Sequence, residues 1–303
     1  MDNNNLVTID TNNYEAMAKA MGIAGATSKS SDTKKTQQLP RFRINHAPIM
    51  GETTMNGKTV NVEVVEGGTY KLEIPDGETF YSKTARIRPF MQRYMYKRFV
   101  KNVNAKMGEP MGVYHKTVMA DSLNLDLKDN QGGFNCGKPA GYIQDFKALP
   151  TQTQDLIKQI KRVRVIFGLV DLLDPYNAKG DSVSFETTPF IWEIDNRDAF
   201  KDVGKPFSKL ADLRRLPIQH YIGLETQERK LPNGNAFYIP TATLDISNTI
   251  ETTDEDQVIF GDFISWIQNY NQYIVSEWDS NVGGHADADM KDIVEDFIEV
   301  DAS

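Results

Sequence analysis

The sequence has one cysteine, Cys136, so no internal disulfide can form, and an intracellular (cytoplasmic, or host-cytoplasmic if viral) setting is expected. Four scattered histidines beside it make no structural zinc site. No run of about 18 apolar residues occurs, so no membrane contact through a spanning helix is expected. The opening MDNNNLVTID lacks a basic and an apolar signal region, and no secretory signal is expected. Catalytic signatures are also missing. GGFNCGK at 132–138 has phosphate-loop spacing, but Pro139 follows where a Ser or Thr would hold magnesium, and it spoils the helix start that should cradle phosphate. His115 and His220 have no motif context, and Cys136 sits in a glycine-rich loop, so hydrolase constellations lack support. The expectation is a non-enzyme with no cofactor and no metal.

What is present is a globular composition, 40% hydrophobic and 25% charged over 303 residues. The net charge of −8 argues at first against a polyanion binder. Its distribution reverses that. Residues 251–303 carry 14 acidic residues and one basic residue, which leaves 33 basic against 28 acidic in 1–250. Such asymmetry is a hint of nucleic-acid contact.

The pattern along the chain predicts four parts: a flexible arm (1–40), a β-rich core (41–250), a helix (251–282) and an acidic tail (283–303). In the core, 60–65 and 70–74 flank Glu66-Gly67-Gly68-Thr69 as a hairpin. Strands are expected at 84–100, 113–119, 163–173 and 185–194, with helices at 151–161 and 207–213. Pro232-Asn233-Gly234-Asn235 joins a second hairpin, 224–231 with 236–242. The clearest helix is 254–278, with Val258, Phe260, Phe263, Ile264, Trp266, Ile267, Tyr270 and Ile274 on its apolar face. The fold class is α+β, β-dominated.

The chemistry-bearing feature is KTARIRPFMQRYMYKRFVK, 83–101. It holds seven cations (Lys83, Arg86, Arg88, Arg93, Lys97, Arg98, Lys101) and no acid, interleaved with Phe90, Tyr94, Tyr96 and Phe99. Single-strand binders need cations to follow phosphates and aromatic faces to stack bases, at roughly 1–3 kcal/mol per base. Strand alternation puts Arg86, Arg88, Phe90, Tyr94, Tyr96 and Arg98 on one face, and Arg93, Lys97, Phe99 and Lys101 opposite, with Ile87, Met91 and Met95 nearer the core. Pro89 makes this an edge strand or a bent one. A core strand with solvated arginines is the plain alternative. Further cations are Lys158, Lys161, Arg162 and Arg164, where the 151–161 helix joins the following strand, and Arg229 and Lys230 near a hairpin tip that also carries Phe237 and Tyr238. The tail alternates acids with apolar residues, and Asp292, Phe297, Ile298 and Asp301 are the expected partner-docking residues.

An arm, a β-rich body with the 83–101 segment and a terminal EDFIEVDAS together resemble phage single-stranded-DNA-binding proteins of the T7 kind, and more loosely the bacterial ones. The resemblance is one of architecture. It implies an OB-like barrel core, and a tail that competes with DNA and recruits replication or recombination proteins. The body exceeds one OB barrel and the 254–278 helix is additional. The implied ligand is single-stranded DNA, with RNA and self-association compatible with the same features.

Two rivals remain. Glu186, Glu193, Asp195 and Asp198 cluster around FETTPFIWEIDNRD, as the paired carboxylates of a magnesium nuclease would. No lysine follows at the usual spacing. A virion structural or assembly protein would explain the polar arm, but not a counter-ion-free basic run opposed by an acidic tail.

Overall fold

A computed structural model describes residues 38–55, 58–106 and 110–283. The expected arm up to residue 37 and the tail from 284, including Asp292, Phe297, Ile298 and Asp301, lie outside the described residues. The elements in order are β1 (Arg41–Asn45), β2 (Ile49–Met55), β3 (Lys58–Val65), β4 (Thr69–Glu73), β5 (Thr79–Ser82), β6 (Thr84–Lys101), β7 (Gly112–Lys116), α1 (Thr151–Gln159), β8 (Lys161–Leu173), β9 (Thr188–Ile194), α2 (Arg197–Asp202), α3 (Gly204–Asp212), β10 (Ile222–Lys230), β11 (Ala236–Leu244) and α4 (Asp254–Gly283).

One mixed sheet runs β11-β10-β6-β8-β9-β1-β4-β5, with β7 on the far end of β6. The α+β, β-dominated class and the C-terminal helix are therefore as expected. β6 is not an edge strand. It pairs with β8 along nearly its whole length, and with β10 and β7 at its two ends. The bend is real and has a local cause. Pro89 faces Gly168, the next pair is Met91 with Phe167, and Phe90 is the extra residue of a bulge. Gly168 is required there, because a Cβ would lie 2.4 Å from the Arg88 carbonyl oxygen.

The bulge inverts the facing of everything after it. Before it, Ile87 joins a core with Phe42, Tyr70, Leu72, Ile166, Phe190, Trp192 and Ile222. After it, Met91 and Met95, of the same parity, join a second core with Val163, Val165 and Phe167 beneath α4. Phe263, Trp266, Ile267, Tyr270 and Ile274 of α4 fill that second core. Val258 and Phe260, expected on the same helix face, are exposed, since the side that meets the sheet carries Asp256, Ile259 and Phe263.

The first expected hairpin is corrected. β3 pairs with β2 in a separate two-stranded sheet, and β4 pairs with β1 and β5. The Glu66–Thr69 turn thus carries the chain between sheets. Gly68 adopts φ 86°, donates its N–H to the Asn45 carbonyl and packs on Tyr238, where a Cβ would clash. The second hairpin, β10–β11, is as expected. The sheet curls until Tyr70 Oη donates to the Glu225 carbonyl and Thr226 Oγ1 to that of Gly68. No ladder closes it into a barrel among the described residues. No helix there is long and apolar enough to cross a membrane.

Candidate nucleic-acid interface

The fold consumes the first half of the basic run. Lys83 pairs with Glu66 at 2.8 Å. Arg86 donates twice to Asp171 and lies 4.1 Å over the Tyr221 ring. Arg88 is buried. It grips both Asp256 oxygens at 2.8 Å and donates Nε to the Ile218 carbonyl. Asp256 meanwhile accepts from the N–H of Thr253, whose hydroxyl accepts in return, so this pair fixes the start of α4. Arg93 meets Asp121 at 2.9 Å. Three expected stacking residues are corrected. Phe90 packs edge-on to Phe263 in the second core. Tyr96 is 1% exposed among Leu127, Cys136 and Ile160. Tyr94 is half-buried, its hydroxyl bonded to Arg164. Phe90 is taken by the second core, Tyr96 by the separate cluster of Leu127, Cys136 and Ile160, and Tyr94 lies against Arg164 and Phe200.

The second half of the run leads elsewhere. β1 and β9 run parallel and pair at one position, Arg41 with Ile191. Beyond it both strands continue in the same direction without a ladder among the described residues, and the sheet splits. The cleft has a volume of about 510 Å³ and is lined by 41–45 of β1, His46 just after it, and 191–196 of β9 and the turn after it. Lys71 of β4, Lys97 of β6, Tyr114 and Lys116 of β7, Lys161 of β8, and Phe237 and Tyr238 of β11 complete it. At the far end of β1, His46 Nδ1 accepts from the Tyr238 N–H at 3.2 Å.

Six cations, Arg41, Arg43, Lys71, Lys97, Lys116 and Lys161, line this split. Among the described residues, three carboxylates form ion pairs with members of this group. Glu73 meets Arg43 at 3.5 Å and Lys71 at 2.8 Å. Glu193 meets Lys97 at 3.3 Å and Lys116 at 3.7 Å. Asp195 meets Lys97 at 3.6 Å and Lys161 at 2.9 Å. Burial works to raise the Glu193 pKa, but the Lys116 and Lys97 ammoniums outweigh it and hold the carboxyl at about 2. Lys97 loses from burial and gains more from Glu193 and Asp195, so its pKa ends well above the ordinary lysine value. Tyr114, Phe237 and Tyr238 are half-buried here, and Lys97 and Lys116 lie 4.9 and 5.7 Å from the Tyr114 ring.

The other expected residues divide. Lys161 is in the cleft. Arg162 is exposed, 5.9 Å from the Phe200 ring. Arg164 is buried against Tyr94, Phe200 and Phe207, with bonds to Gln92 and Tyr94, so its expected phosphate contact is replaced by packing. Arg98 bonds His115 Nδ1 at 3.1 Å. Lys101 is exposed at the β6–β7 hairpin. Arg229 and Lys230 are exposed on β10, with Arg229 directly opposite Phe237.

The rival constellations acquire definite structures. Glu193 and Asp195 both pair with Lys97, and each takes one further lysine, Lys116 and Lys161 respectively. No cluster of three or more metal-ligating side chains occurs among the described residues. In GGFNCGK the loop amides are already used. The Asp129 carboxylate accepts from the N–H groups of Gln131, Gly133 and Cys136. Cys136 is buried, and that burial, with Asp129 nearby, pushes its thiol pKa far up.

Arg41, Arg43, Lys71, Tyr114 and Lys116 were missed from sequence. The alternation RFRINH carried part of the signal. The rest is dispersed over strands that only the fold assembles. No family model, no curated protein and no solved structure matches this chain.

Proposed function

We propose that this protein binds single-stranded nucleic acid, most simply DNA, in the split between β1 and β9, without sequence readout and without catalysis. One observation carries this reading: six cations, Arg41, Arg43, Lys71, Lys97, Lys116 and Lys161, line one cleft together with three aromatic residues, Tyr114, Phe237 and Tyr238. Clustered cations attract a phosphate backbone, and rings accept any base, since every base has a π face. Neither provides a base-edge pattern, so sequence is not read. The paired lysines leave little room for magnesium chemistry, which disfavours the nuclease reading. The resemblance to phage single-stranded-DNA-binding proteins belongs to the same proposal, with roles in replication, recombination or repair. So does an OB-like reading of the curled sheet, which rests on six strands sharing one interior core.

Labelled single-stranded and duplex oligonucleotides, titrated at about 50 and about 200 mM salt, test the proposal. The single strand is expected to bind more tightly and to lose affinity steeply with salt. No binding at the lower salt, by the full chain or by a chain lacking 284–303, would overturn it. Magnesium-dependent cleavage lost in Glu193→Ala would replace it with the nuclease.

A further inference from the structure

We propose that the β6–β7 hairpin is a stacking platform for unpaired nucleobases, formed by Phe99 and Tyr114. The inference rests on the nucleic-acid reading of the cleft. It adds the chemical group that separates a single strand from any other polyanion.

Phe99 and Tyr114 face each other across the ladder, with ring centroids 4.9 Å apart. On one side of them Lys97 opposes Lys116, and on the other Lys101 opposes Gly112. Residues 97, 99 and 101 alternate along one face, at intervals of roughly 6.6–7 Å. The face therefore reads cation, ring, cation, leading out of the cleft. Tyr114 belongs to both places, since it lines the cleft and its ring lies 4.9 Å from Lys97 Nζ. The platform is thus continuous with the proposed binding surface.

The pose of Phe99 is built. A Cβ on Gly112 would fall 2.6 Å from Phe99 Cζ and 2.4 Å from the Val100 carbonyl oxygen. Only glycine lets the ring lie across the partner strand. Phe99 is left 37% exposed as a residue. The other rings of β6 are not comparable, because Phe90 and Tyr96 are core residues and Tyr94 lies against Arg164. Aromatic faces flanked by ammoniums suit a base attached to phosphates better than an apolar protein surface, which would have to desolvate Lys101.

The experiment compares three probes on the full chain: oligothymidylate, an abasic oligonucleotide of equal length, and inorganic polyphosphate. Wild type is expected to bind oligothymidylate more tightly than the abasic strand. Phe99→Ala is expected to shrink that preference by about 5-fold or more, at the low end of one stacked base, while abasic affinity stays unchanged. Phe99→Trp is expected to restore it, with indole emission quenched by oligothymidylate and not by the abasic strand or polyphosphate. An unchanged preference in Phe99→Ala overturns the proposal. A changed sedimentation coefficient in Phe99→Ala with an unchanged preference also overturns it, and makes the hairpin a protein contact. Equal binding of both strands by wild type sinks the platform and leaves the cleft standing. Binding of no probe sinks the cleft reading itself.

Discussion

Arg88 and Lys97 lie on the same strand and both are buried, yet their surroundings differ in kind. Arg88 meets one carboxylate, Asp256, in a bidentate pair whose side chains are 10% and 5% exposed. The pair is closed and rivets α4 to the sheet. Lys97 meets two carboxylates that are shared with Lys116 and Lys161, and the cluster opens on the cleft. The bulge at Phe90 sits between them and sets this arrangement. Without the extra residue, Lys97 would face away from Glu193. A cation's role on this strand follows from its partners, and local charge density does not reveal it.

The largest expected effect falls on the closed pair. Asp256→Ala leaves a buried guanidinium unpaired and should cost about 3–5 kcal/mol in urea unfolding. The oligonucleotide affinity of the folded fraction should not change. A parallel loss of affinity would blur the distinction between rivet and cleft.

Acid titration separates the two sites next. The Glu193 pKa of about 2 lies below the unfolded value of about 4.3. Its contribution is present above the unfolded value and is lost as pH falls through the folded one. That contribution is on the order of 3 kcal/mol. Glu193→Gln should therefore be less stable at neutral pH and show a flatter stability curve between roughly pH 4.3 and 2. A curve parallel to wild type would remove Glu193 from the stabilising cluster.

A smaller effect tests the bulge. Gly168→Ala should cost about 1–3 kcal/mol in thermal or urea unfolding, because backbone and not side chain blocks the new methyl. The smallest effect belongs to the β10 tip. Arg229→Ala with Lys230→Ala should weaken oligonucleotide binding by about 2–5-fold and leave stability within ~0.5 kcal/mol.

Much of the fold was legible where one residue's neighbours in sequence settle its state. The alternation of 84–100 and 163–173 located β6 and β8, and Pro232–Asn235 located the β10–β11 turn. β3 failed because a Glu-Gly-Gly-Thr turn fits a hairpin equally well when the real partners are β1 and β2. The candidate site was legible only in part. The 83–101 run lacked acids locally, but its counter-ions came from far along the chain. Asp171 is 85 positions from Arg86, and Asp256 is 168 from Arg88. The cleft is dispersed in the same way, with one parallel pair bringing 41–46 beside 191–196. The shared face of Lys97, Phe99 and Lys101 did follow from alternation, because it lies wholly beyond the bulge.

The most direct test compares salt dependences of single-strand binding in two double variants. Arg43→Ala with Lys161→Ala removes two cleft cations; Lys83→Ala with Arg86→Ala removes two from the start of the run. A cleft that holds the phosphates predicts that the slope of log affinity against log salt falls by about 1–2 in the first variant and stays at the wild-type value in the second. The opposite assignment, an unchanged slope in the first and a reduced slope in the second, would contradict it and return the interface to the start of β6.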